Sequence, residues 1–250
     1  MHWDFALILV VLGAAVPLAG RRRVRQLMQL PATTKIDRLS IYSSTIASQI
    51  TIAAVILWRA TAHGWRAPEL GLSIPRPALT AAIAILLSLL IFVNQIFSIR
   101  RLATHPAGIK GLLPQLALKV FPQDGAERLV FFALVCTVAV CEELIYRGFV
   151  QHVAQEFGPD SLMWGIVVSS VFFAFAHLYQ GGRGLLSTFL VGVVFASVRF
   201  WTGSLLPTIS AHFVADLTVG LLAPGRLRAA LAAQPADPVS PAASAEDNPS

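Results

Sequence analysis

Charge is scarce in this sequence. Of its 250 residues only 13% are Asp, Glu, Lys or Arg, against about 25% in ordinary soluble domains. Hydrophobic residues make up 56% and the mean hydropathy is +0.69, which excludes a water-soluble globular domain and predicts an integral membrane protein. Cysteine is nearly absent too. Cys136 and Cys141 are the only two; five residues apart on a helix, they face different ways, and no CxxC occurs. That excludes a disulfide framework, and both read as small apolar side chains of a buried helix. The HExxH, GxSG and GxGD signatures are also missing. The 19 Lys and Arg outnumber the 13 Asp and Glu, yet no basic cluster interleaves with aromatics, so nucleic acid is not an expected partner.

What is abundant is apolar sequence in long runs. Stretches near 4–20, 39–58, 78–98, 127–146, 161–178, 184–200 and 204–223 approach the roughly 20 residues a helix needs to cross a bilayer. The expected fold is all-α, a polytopic transmembrane bundle of about seven spans. In the second run, SIYSSTIASQIT is polar for a lipid-facing helix and suits contact between helices. Residues 99–126 read as a connection with an amphipathic helix around GLLPQLALKVF. From Pro224 onward Ala, Pro and Ser dominate, which predicts a disordered tail. Three parts follow: N-terminal spans and connection over 1–121, a helical core over 122–223, and the tail over 224–250.

The first run carries Asp4 ahead of it and RRRVR behind, the reverse of a cleaved signal peptide. With seven spans, fourteen of the 19 basic residues fall on the side of Arg21–Arg25, Lys35 and Lys110 among them. Five fall on the other, including Arg147 and Arg199. This bias predicts an N-terminus outside and a C-terminus in the cytoplasm.

Ionisable residues within the late runs are few and expensive to place in hydrocarbon, at about 2.5–3.5 kcal/mol each by insertion scales. They are Glu142, Glu143, Arg147, His177, Arg199, His212 and Asp216. Arg199 lies at the end of a run, where it is expected to snorkel to the interface. The other six form EELIYR, FAFAH and HFVAD. Glu143 and Arg147, four apart, share a helix face and are expected to pair. Glu142 is rotated about 100° away and needs a partner from another helix. His177 ends a run before two glycines, a place that suits an interface residue as well as a catalyst. His212 and Asp216 share a face, either as an imidazole with its orienting carboxylate or as two metal ligands. Such a set can activate water through a carboxylate base, or through a divalent metal such as zinc. Both routes end in hydrolysis, and the residues leave open whether a metal takes part.

The order EExxxR, FxxxH, HxxxD in successive runs resembles the CPBP family of intramembrane proteases, also called Abi. That family groups type II CAAX prenyl endopeptidases with bacteriocin-processing and bacteriocin-immunity proteins. The resemblance covers roughly residues 122–220. It implies a hydrolase of membrane-associated peptides or proteins in the lipid bilayer, expected in a bacterial cytoplasmic membrane. Glu142 would activate water together with His177, with Phe173, Glu143 and Arg147 in support. His212 and Asp216 would stand where the family stabilises the oxyanion. Asp216 departs from the asparagine of the CAAX endopeptidases, and an ionised carboxylate cannot donate to an oxyanion. A metal-ligand or His212-orienting role therefore suits it better. A non-catalytic immunity, scaffold or regulatory protein is the alternative; a transporter lacks the paired discontinuous helices it would need.

Overall fold

The computed structural model describes residues 1–31, 34, 36–104, 111–158 and 161–232. Among them the chain forms helices and no strand. In chain order these are α1 (Trp3–Gln29), α2 (Arg38–Ala62), α3 (Pro77–Thr104), α4 (Leu112–Val120), α5 (Gly125–Phe157), α6 (Ser161–Ala176), α7 (Gly181–Thr202) and α8 (Leu206–Ala232). Six of them, α1, α2, α3, α5, α7 and α8, are long and apolar enough to cross a membrane. The fifth expected span, 161–178, is the 16-residue α6. At 1.5 Å per residue it reaches about 24 Å, short of a ~30 Å hydrocarbon core.

Helix ends are set by local chemistry. Asp37 accepts from the Ser40 N–H at 3.0 Å and opens α2. Asp124 accepts from Glu127 N–H at 2.8 Å while Glu127 accepts from Gln123 N–H at 2.7 Å, a reciprocal cap that starts α5. Arg38 joins these two starts through Glu127 at 3.3 Å. Gly203, at φ +70°, closes α7 in the left-handed region with its N–H on the Arg199 carbonyl.

The polarity of the bundle is inverted relative to a soluble protein. Ile85 and Leu129 are more than 70% exposed, whereas Glu143, Arg147, Gln151, Ser169 and Thr208 are fully buried. Apolar residues face outward where lipid would lie and polar ones face one another. The chain is thus a multi-pass membrane protein. At its centre α5 runs on beyond 146 to Phe157 and widens to a π-helix over Leu144–Val150, every residue of which is buried. Ser169 of α6 donates to the Tyr146 carbonyl at 2.8 Å and Gln151 to that of Ala196 at 3.0 Å. These bonds tie α6 and α7 to the widened segment.

Three expectations need correction. Arg147 is not at a span's outer end but in the buried middle of α5, because α5 continues past it. Arg199 does not snorkel: it is 7% exposed and donates to the Glu69 carbonyl, in the loop between α2 and α3. The helix α8 passes through Pro224 to Ala232, so the tail does not begin at Pro224. Ala223 and Leu227 are buried against Ile99 of α3, and that contact carries the helix past the proline. Residues 233–250, with Lys35 and Lys110, lie outside the described residues. The amphipathic segment near 111–121 is helical as α4, and Lys119 donates to the carbonyls of Leu27 and Leu30 at the end of α1, each at 2.9 Å.

Close helix approach predicts a mutational sensitivity. A Cβ at Gly220 would overlap the ring of Phe131, which is held between Tyr42 and Phe121. Gly220→Ala should lower stability by about 1–3 kcal/mol through overpacking. Gly225→Ala, whose Cβ meets nothing within 4 Å, should leave the unfolding midpoint in detergent in place.

Candidate active site

The π segment of α5 turns Glu143 and Arg147 into the same buried space. Arg147 Nη1 donates to Glu143 Oε1 at 2.9 Å with neither side chain exposed. The guanidinium carbon lies 3.9 Å from the Phe173 ring centroid and 5.3 Å from that of Phe195. Aromatic faces thus cover the cation where water is excluded. The expected pair exists, and α6 and α7 supply its lid.

The same carboxylate oxygen takes a second donor. His212 Nδ1 lies 2.9 Å from Glu143 Oε1, so α8 is fixed to α5 through Glu143. Because a carboxylate only accepts, Nδ1 carries the proton and Nε2 points onward. There it meets Asp216 Oδ2 at 3.6 Å and Glu142 Oε2 at 3.9 Å. The residue that orients His212 is therefore Glu143 and not Asp216, which sits at the other nitrogen with its side chain 40% exposed.

His177 is turned by its own helix. Its Nδ1 lies 2.9 Å from the Phe173 carbonyl, which can only accept, so the neutral ring keeps its Nε2 lone pair. Glu142, His177, His212 and Asp216 line one cavity of about 580 Å³ walled by apolar residues such as Leu134 and Val135. A second lobe of about 520 Å³ opens between α1 and α2 and shares Glu142 and His177. Four of the six residues singled out by motif are brought to one space.

Two neighbours escaped the sequence reading. Gln49 of α2 donates to Glu142 Oε1 at 2.8 Å, and Tyr179 lines both lobes. For Gln49 the signal was the polarity of the second run. For Tyr179 no pattern pointed inward. A metal fares less well. Among the described residues no three His, Cys, Asp or Glu side chains converge as a ligand set. The Nδ1–H of His212 on Glu143 leaves Nε2 facing Glu142 and Asp216, and this geometry alone does not decide whether a metal takes part.

Residues 125–218 match the family model of type II CAAX prenyl endopeptidases, described as Rce1-like. Over these residues the chain is similar to that endopeptidase family. The match opens at the first residue of α5 and includes all three motifs, so the matched segment holds the six ionisable residues of the site. Gln49 lies outside it. Comparison with curated proteins and with solved structures gave no match. The similarity over this segment is to a family of endopeptidases.

Within that segment the Glu143–Arg147 pair invites a test of stability. Removing one partner of a buried pair leaves a charge uncompensated and costs about 3–5 kcal/mol. Arg147→Ala should unfold at a markedly lower temperature in detergent than wild type, with exposed Arg128→Ala as control.

Proposed function

We propose that the chain is an intramembrane endopeptidase that hydrolyses a peptide bond of a membrane-associated protein or peptide by direct attack of water. The observation that carries this is the convergence of Glu142, His177 and His212 on one apolar-walled cavity. Among the described residues Glu142 Oε2 has no hydrogen-bond partner though it is buried. It is an acceptor available to a water proton.

In the proposed cycle Glu142 takes a proton from water while the His177 Nε2 lone pair accepts the other hydrogen and aims the oxygen. Hydroxide adds to the scissile carbonyl carbon and charge moves to the carbonyl oxygen. With Nδ1–H held by Glu143, His212 in its doubly protonated form offers Nε2–H to that oxyanion. Asp216 and Glu142 flank this proton before substrate enters. The intermediate collapses with cleavage of the C–N bond, and the proton on Glu142 passes to the leaving nitrogen. Atoms and charge balance, and no step requires a metal. Apolar walls suit a lipid-embedded segment of the substrate and exclude competing water.

Around the first two helices Arg21, Arg22, Arg23, Arg25 and Arg38 lie at one end against Arg59 and Arg66 at the other, which supports an orientation with Arg21–Arg25 in the cytoplasm and the N-terminus outside. In a Cys136→Ala/Cys141→Ala background, Ala67→Cys should react with an impermeant maleimide in intact cells and Gln26→Cys should not. The reverse pattern would invert the orientation.

General-base catalysis contributes about 10²–10⁴-fold. Glu142→Ala should therefore reduce cleavage by at least two orders of magnitude while retaining fold and bound substrate, so that peptides trapped on it identify the substrate by proteomics. Full cleavage by Glu142→Ala would sink the protease mechanism.

A further inference from the structure

Helix α2 carries a polar stretch that its own backbone mostly absorbs. Ser44 and Thr45 donate to the Ile41 carbonyl at 3.1 and 2.8 Å, Ser48 to that of Thr45 at 2.9 Å, and Thr51 to that of Ala47 at 2.8 Å. Such bonds back to the preceding turn satisfy a hydroxyl without recruiting another helix. Tyr42 crosses to the Val120 carbonyl at 2.6 Å and Ser44 also accepts from Arg23 at 2.9 Å, whereas Gln49 crosses to the site. Its amide leaves α2 and donates across to Glu142 Oε1 at 2.8 Å. An amide carried into an apolar bundle is costly unless bonded, and an apolar residue of the same length would fill the space without that cost. Half-buried on the wall that both lobes share, the amide meets the carboxylate of the site directly.

The two oxygens of Glu142 have unlike surroundings as a result. Oε1 is held by Gln49, while Oε2 is buried without a protein hydrogen bond and lies 3.9 Å from His212 Nε2. The terminal torsion of a glutamate is broad and otherwise poorly fixed. One directed N–H removes that freedom. The donor is also neutral: a Lys or Arg at this place would form an ion pair and hold the carboxylate by its charge. A carboxylate at 49 would repel it.

We propose that Gln49 is a positioning residue of this active site, fixing the Glu142 carboxylate so that Oε2 faces His212 and the cavity. Helix α2, outside the segment that matches the endopeptidase family, is then part of the catalytic unit. The inference rests on the assignment of Glu142 as the base.

Gln49→Met keeps length and volume and removes the donor. In purified protein, with a fluorogenic peptide built from a sequence trapped on Glu142→Ala, kcat should fall roughly 10- to 100-fold, as expected for a misplaced reacting group. KM should stay within about twofold, since the substrate's own contacts are untouched. Infrared difference spectra of glutamate-labelled protein give a readout that needs no substrate. The Glu142 carboxylate band, identified by its loss in Glu142→Gln, should shift in Gln49→Met. An unchanged kcat, a rise in KM alone or an unshifted band overturns the proposal. If Gln49→Met does not fold, Gln49→Asn withdraws the amide by one methylene and is judged by the same band and the same kinetics. Full activity in Glu142→Gln would defeat the assignment of the base instead, and the infrared band would still decide whether Gln49 holds the carboxylate.

Discussion

Glu143 Oε1 receives Arg147 Nη1 and His212 Nδ1, each at 2.9 Å, in a space where Glu143 and Arg147 have no solvent contact. A carboxylate and a guanidinium removed from water each cost several kcal/mol. Their attraction offsets this only while the geometry holds and further bonds engage the carboxylate. The bundle supplies that geometry. Helix α5 widens into a π turn there, α6 lays Phe173 and α7 lays Phe195 against the guanidinium, and α8 delivers His212. Any displacement of these helices exposes or unpairs a buried charge, so the pair sets the register of four elements.

That register has a chemical consequence. Fixing Nδ1 of His212 leaves its Nε2 as the atom that faces the cavity, beside Asp216 and Glu142. The Phe173 carbonyl does the same for His177, and Phe173 thus serves both histidine orientation and cover for Arg147. Preorganised groups of this kind stabilise developing charge without reorganising during the reaction. In the proposed mechanism the adjacent glutamates divide the labour: Glu143 holds the scaffold and orients an imidazole, while Glu142 meets water.

A lipid environment explains how such a site coexists with so apolar a chain. Leu and Ile side chains cover the outside, and small residues allow close approach inside, as where Gly192 meets Ser170 and Gly220 meets Phe131. Between helices in lipid, polar contacts and packing replace the hydrophobic drive. The loop between α2 and α3 adds a clasp, with Arg199 on the Glu69 carbonyl and Leu205 N–H on that of Gly71 at 2.8 Å.

Sequence alone determined what lies within a single helix or follows from composition. The scarcity of charge gave a membrane bundle, and the 3.6-residue period gave Glu143 with Arg147 and turned Glu142 aside. The three motifs named the residues that meet in the cavity and the family that residues 125–218 match. Tertiary structure decided everything that depends on how helices rotate and rise against each other. It gave Glu142 its partner in Gln49, gave His212 to Glu143 in place of Asp216, and buried Arg199 against a loop. It also carried α8 through Pro224, because contacts with α3 outweigh the local preference to stop. The physical reason is that helices apolar on nearly every side carry little record of which face turns inward. A helix's own period fixes neighbours one turn apart, while contacts across the bundle are set by the few buried polar groups that must find one another.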